Sequence, residues 1–203
     1  MKNYVINCIA FFVFVSSYSQ TCRDNMLSKK FDFEISTKST DQNNLGSAEI
    51  KITILSKQKN NKIQTIDIKS EFILKSESFK NCSNNKSYLK TVNSLIKVYD
   101  YDFGDFIIAD FNFDDKEDLA IKREEGGNGG PLYNFYVQTE NQKFILNDML
   151  SKEMESFPYF FDTKNKILRI NKRIDSVKYQ IVTYEYFPKN RIWKIKSKNE
   201  YIN

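Results

Sequence analysis

The stretch Phe106–Ile121, FIIADFNFDDKEDLAI, sets two short apolar runs on either side of an acidic segment. Phe106–Ala109 and Leu119–Ile121 read as strands, and the residues between them as the loop that joins them. That loop, Asp110–Asp118, packs five carboxylates and one lysine into nine residues, in a chain whose formal net charge is +5. Like charges a few ångström apart repel. A cation inside the loop would remove the conflict.

The spacing names the cation. Asp110, Asn112 and Asp114 fall at positions 1, 3 and 5 of a calcium-loop template and offer alternate side-chain oxygens around one point. Lys116 at position 7 would lend its backbone carbonyl while its amine points away, and Asp118 at position 9 would add a carboxylate. Hard oxygen ligands in this pattern suit Ca²⁺. Two positions depart from an EF-hand: Ile121 stands where a bidentate glutamate belongs, and Asp115 where glycine makes the sharp turn. Aspartate visits the left-handed region at moderate cost, so the turn is kept. The bland alternative is an acidic surface hairpin anchored by Phe111 and Phe113.

Outward from the loop the chain reads as mainly β, with antiparallel sheets and one short helix. Phe31–Ile35 and Ala48–Leu55 alternate, and the turn at 57–61 leads into a returning strand at 62–68. Residues 76–93 are polar and irregular, and read as a loop tied down at Cys82. Tyr133–Val137 and Lys143–Leu146 form a pair, and residues 147–156 a helix capped by Asn147 and stopped by Pro158. Strands follow at 167–170, 178–187 and 191–196. The tyrosines and Trp193 of this tail alternate, as core or half-buried sheet residues do.

Met1–Ser19 has a basic start, an apolar run from Val5 to Val15 and small residues at Ser17 and Ser19, the pattern of a secretory signal cleaved after Ser19. The alternative is a lipoprotein acylated at Cys22. Residues 20–94 then form an N-terminal β region with a disulfide-tied loop, and 95–203 a C-terminal β region carrying the calcium loop, together one domain. The expected location is periplasmic or secreted. Cys8 leaves with the signal, and Cys22 and Cys82 either pair or remain free thiols. Lysines are spread among isoleucines and asparagines rather than gathered in a block, which speaks for a solvated surface and not for nucleic acid.

The sequence contains no histidine. Triad hydrolases, His-zinc proteases and imidazole general bases are therefore excluded. A calcium-held aspartate is a poor general acid because the ion keeps it ionised. Binding, not catalysis, is the expected mode of action.

Phe103–Ile121, FGDFIIADFNFDDKEDLAI, resembles the FG-GAP/VCBS signature, with its Phe-Gly, its aspartate loop and its apolar exit strand. A single copy implies a propeller-blade-like unit with a strand-loop-strand calcium site rather than a whole propeller. The likeness continues through Gly126–Pro131, Tyr133 and Phe135–Val137 into a family of exported bacterial proteins. That family includes periplasmic immunity proteins that inhibit peptidoglycan hydrolases. Residues 171–186 lack the cysteine pair, tryptophan and histidine that many relatives carry downstream. The resemblance implies an exported calcium-binding inhibitor of a cell-wall hydrolase. The alternative is an adhesive or carbohydrate-binding module without inhibitory activity.

Glu124–Pro131 holds four of the six glycines. No Gly-Lys-Ser/Thr follows, so it is not a phosphate loop. It reads either as a plain hairpin connection or as a plug for a hydrolase cleft, with Glu124, Glu125, Gly126, Gly127 and Asn128 meeting the partner. In the second case it could wrap the calcium site and be preorganised by it.

Overall fold

The computed structural model describes residues 19–40, 45–74, 78–98 and 102–202. Apart from Ser19, which opens the first strand, the expected signal lies outside the described residues. Among the described residues no helix is long and apolar enough to cross a membrane.

The alternating segments form the first sheet. β1 (Ser19–Asp24), β2 (Phe31–Ser39), β3 (Leu45–Ser56) and β4 (Asn61–Leu74) run as an antiparallel meander. Period-two alternation puts Phe31, Phe33 and Ile35 of β2 beside Ile50, Ile52 and Ile54 of β3 on one face, where all six are buried. Each such side chain contributes at most about 1.5–3 kcal/mol.

The stretch read as an irregular loop, 76–93, contains one short strand, β5 (Lys86–Ser87), and a second, β6 (Ser94–Leu95), follows directly after it; they dock on the other two sheets. Neither shows in the sequence, because two residues carry no periodicity. β7 (Phe106–Ala109), β8 (Asp118–Glu124), β9 (Leu132–Gln138) and β10 (Phe144–Leu146) form the second meander, with β5 parallel to β7. β11 (Phe160–Asp162), β12 (Ile167–Arg173), β13 (Lys178–Phe187) and β14 (Ile192–Ile202) form the third, with β6 on its outer side. The fold is thus mainly β, built from three consecutive blade-like meanders that close no barrel.

The second sheet is the middle layer. Phe106, Ile108, Leu119 and Ile121 face the first sheet, and Ile107, Ala109, Ala120, Tyr133 and Phe135 join Leu168, Ile170, Val182 and Trp193 of the third. A strand covered on both faces must be apolar throughout, which is why FIIA and LAI run without alternation. The helical element is one π-helical turn, Met149–Met154, rather than an α-helix. Asn147 caps it as expected, its Oδ1 accepting from the Leu150 N–H at 3.0 Å, and Leu150 and Met154 face the core.

Cys22 on β1 is disulfide-bonded to Cys82, with Cα atoms 5.7 Å apart across a sequence separation of 60. Replacing both cysteines by serine is expected to lower unfolding stability by about 4 kcal/mol, from the entropy of opening a loop of that length. Urea unfolding of the two proteins side by side checks this.

Candidate functional site

β8 carries three inward residues on the face toward the third sheet: Asp118, Ala120 and Lys122. Asp118 and Lys122 are 0% and 1% exposed. They stand about four residues apart, roughly 13 Å along the strand. The acidic loop enters at the Asp118 end and the glycine loop leaves beyond the Lys122 end. In a meander successive loops lie at opposite ends of the shared strand. The glycine loop therefore does not wrap the acidic loop, contrary to that part of the sequence expectation.

The acidic loop is organised by its own carboxylates. Asp118 accepts three backbone N–H bonds, from Gln138 at 2.8 Å, Phe111 at 3.0 Å and Asn112 at 3.3 Å. It thereby ties both ends of the loop to β9. Asp110 accepts from Asp114 N–H at 3.0 Å and Asp115 N–H at 2.9 Å. Asp115 adopts the left-handed conformation expected of it (φ 62°), and so does Phe113 (φ 57°). Phe111 inserts edge-on against Phe135 and Phe157, while Phe113 meets Trp193 on the third sheet.

Burial pushes the Asp118 carboxyl well above the usual carboxylate range, and the neighbouring Asp110 and Asp114 push it the same way. Burial also raises Asp110, partly offset by its two N–H donors. Negative charge in the loop is thus under strain. Asn112 Oδ1 is buried there without a hydrogen-bond partner. An amide oxygen in that state costs about 1–3 kcal/mol unless something positive meets it.

One carboxylate predicted to crowd the loop is drawn off, and one lysine is drawn in. Glu117 is buried against the first sheet and accepts from Ser28 Oγ. The Lys116 amine does not point away, as the spacing suggested, but folds back to Asp114 at 3.2 Å and Glu140 at 2.6 Å. Lysine is long enough to satisfy the nearest acids. Among the described residues, no group of three or more histidine, cysteine, aspartate or glutamate side chains gathers as a metal centre does. The oxygens of Asp110, Asp114 and Asp118 already accept from N–H groups of the chain, and the Asn112 Oδ1 is the one side-chain oxygen of the expected ligand set left without a partner among the described residues.

At the far end of β8, Lys122 is the hub of a buried ion cluster that the sequence reading missed. Its ammonium lies 2.8 Å from Asp105, 3.1 Å from Asp102 and 3.7 Å from Glu125. Burial opposes its charge, but Asp105, Glu125 and Asp102 raise its pKa. Burial likewise pushes Asp105 upward against the pull of Lys122. The carboxylate also accepts from Phe79 N–H at 2.6 Å and from the Asn84 amide at 3.3 Å, and these donors favour the ionised pair. The only signal in the sequence was one lysine inside an apolar exit strand.

This cluster also fixes the glycine loop. Glu125 accepts from Ser78 Oγ at 2.6 Å, and its backbone N–H donates to Phe72 at 3.1 Å. It is therefore turned inward, whereas the glycine-loop reading had it meeting a partner. Glu124 is half-buried, 3.8 Å from Arg123. Gly127, Asn128 and Gly129 form the exposed tip. Gly126 has φ 63°, and a Cβ there would come within 1.8 Å of the Gly130 carbonyl oxygen. The tip's shape depends on that glycine.

The surface charge is not spread evenly, as the sequence reading had it. Residues 160–203, the third sheet, hold eleven lysines and arginines against four acids, and the preceding residues hold twenty against twenty-two. The third sheet alone accounts for the basic character of the chain.

No protein-family model matches this sequence, and no curated protein matches it. A solved structure described as that of a Xanthomonas type IV secretion system related protein is similar, with a TM-score of 0.55. The match has 15% sequence identity and covers 90% of this chain and 87% of that one. At this identity the likeness shows a shared fold.

Two outcomes test the geometry at the Lys122 end. Lys122→Met leaves Asp105 buried without its cation and should cost about 3–5 kcal/mol by urea unfolding, much of it recovered when Asp105→Asn is added. Gly126→Ala should lower the thermal midpoint, with backbone NMR shifts confined to residues 124–131 and their neighbours.

Proposed function

We propose that this chain is an exported, calcium-binding protein that acts by binding another protein and carries out no reaction of its own. The most concrete target is a peptidoglycan hydrolase, which it would inhibit. One observation carries the calcium reading: the buried Asn112 oxygen without a partner, set among aspartates whose ionisation burial and mutual repulsion oppose. Asp110, Asn112, Asp114 and Asp118 would hold the ion through side-chain oxygens, and Lys116 through its carbonyl. The ion would supply the positive charge this loop lacks, and the Lys116 amine would release Asp114.

The chain's own residues give this ion a structural task. Asp118 joins the loop to β9, and Phe111 and Phe113 pin it to the core and the third sheet. Partner contact would come at the opposite end of β8, from Asn128, Gly127 and the partly exposed Glu124. Glu125 and Gly126 would act by holding that tip in shape.

Several observations support export and binding. The Cys22–Cys82 disulfide suits an oxidising compartment such as the periplasm or the exterior. The FG-GAP/VCBS-like loop resembles that of exported proteins which include hydrolase inhibitors. The similar solved structure is described as a Xanthomonas type IV secretion system related protein, which agrees with a role in protein interaction.

Calorimetric titration of chelator-treated protein should show one calcium site with a Kd on the order of 0.1–1 mM, as in extracellular modules. Asp110→Asn with Asp118→Asn should abolish it. A hundredfold excess over Kd should stabilise the wild type by about 2.7 kcal/mol. Absence of heat at millimolar calcium removes the calcium reading. Turbidity assays of peptidoglycan lysis by lysozyme-type enzymes from the same envelope address the target. Inhibition that weakens in Glu124→Ala/Asn128→Ala supports the tip as the contact, and unchanged inhibition sinks it.

A further inference from the structure

Beside the glycine tip lies an open cleft of about 470 Å³ between that tip and the β12–β13 hairpin. Asn128 and Gly129 form one wall, and Tyr159, Asn171, Arg173 and Tyr179 the others. The lining contains a guanidinium, two amides and two phenols, and no carboxylate. We propose that this cleft receives a carboxylate presented by an acidic segment of a protein partner, with Arg173 as its charge partner. The proposal rests on the binding-protein reading, and is independent of calcium and of the partner's being a hydrolase.

Arg173 is exposed, and its guanidinium is held from one side. Nε donates to the Asp175 carbonyl at 3.0 Å and Nη2 to the Ser176 carbonyl at 3.4 Å. Both acceptors are neutral. The Asp175 carboxylate accepts from the N–H groups of Val177 at 2.9 Å and Lys178 at 2.8 Å. Arg173 makes no direct ion pair among the described residues, and its charge reaches the Asp175 carboxylate only at longer range, helping to hold that carboxyl below its usual range after the Val177 and Lys178 N–H groups. A guanidinium already fixed by backbone carbonyls loses little freedom when it takes a carboxylate, and its planar fork matches that group.

The surroundings favour an acidic segment over a lone anion. The third sheet that carries Arg173 holds the chain's whole excess of positive charge. A field of that sign attracts an extended acidic partner and raises its association rate. The tip supplies the amide of Asn128, and Tyr179 is stacked on Tyr201 at 5.3 Å, which gives the wall a rigid aromatic surface.

The test uses the purified protein, two-dimensional amide NMR and three probes: capped hexaglutamate, capped hexalysine and an uncharged N-acetylglucosamine tetramer. Hexaglutamate is expected to move resonances of residues 128–129, 171–173 and 179–181 at low salt, and hexalysine to move none. Arg173→Gln should weaken hexaglutamate roughly tenfold, and Arg173→Lys less, because charge stays while the fork is lost. Lys198→Gln on β14 serves as the control for diffuse attraction and should change binding less than about twofold. Equal loss in Arg173→Gln and Lys198→Gln, or shifts spread over β14, overturns the proposal. So does entry of the neutral tetramer with no response to hexaglutamate, which would make the cleft a glycan site. Should Arg173→Gln disturb the hairpin, as resonances of 174–178 would reveal, the Arg173→Lys comparison decides. Carboxylate binding without inhibition of any hydrolase would keep the cleft and remove only the proposed target.

Discussion

Strand β8 runs between two other sheets and meets no water along its first five residues, yet it carries a carboxylate near one end and an ammonium near the other. A buried charge is tolerated only when protein groups replace the water it has lost. Asp118 meets that condition with three backbone N–H donors, and Lys122 with three carboxylates. The rest of the architecture follows from supplying those partners. One end gathers the acidic loop and the start of the β9–β10 turn; the other gathers the glycine loop, the segment around Phe79 and the disulfide.

The two ends differ in how their charges meet. Around Lys122 three carboxylates converge on one buried ammonium, each within 3.7 Å of it. Around Asp118 like charges face one another, with one lysine folded in from the surface and one amide oxygen left over. Both ends set one lysine against three carboxylates, but the Lys122 ammonium touches all three of its acids, whereas Lys116 reaches Asp114 and neither Asp110 nor Asp118. This difference, rather than the number of aspartates, separates the candidate ion site from the many other carboxylates in the chain.

Charge is also partitioned between layers. The first two sheets and their loops hold slightly more acids than bases, and the third sheet holds the surplus of lysine and arginine. The acid excess belongs to the middle segment, residues 75–159, with fifteen acids against ten bases, while the first sheet's residues 19–74 are nearly balanced, so the third sheet is the strongly basic outer layer. The tip and cleft sit beside the basic layer, so exposure, shape and charge coincide at one place on the surface.

Period-two patterns were readable wherever one face meets water: Phe31–Ile35 and Ala48–Leu55 told their strands and their buried faces directly. The helical turn's cap at Asn147 and the left-handed Asp115 followed from local chemistry, while for Cys22 and Cys82 the sequence left a disulfide and two free thiols open and the structure shows the disulfide. β5 and β6 were not legible, since two residues have no period and form only because a neighbouring sheet edge accepts them. The burial of Lys122, the Ser28 bond of Glu117 and the inward turn of Glu125, which the sequence reading had meeting a partner, were not legible, because a side chain's sequence neighbours say nothing of what packs across the sheet. By itself the sequence determined the strands, the donor spacing of the acidic loop and the absence of imidazole chemistry, all of which depend on residues close in the chain. Only the tertiary structure decided that the two loops stand at opposite ends of one strand, and which acids are spent on internal partners. Those facts depend on which sheet lies against which.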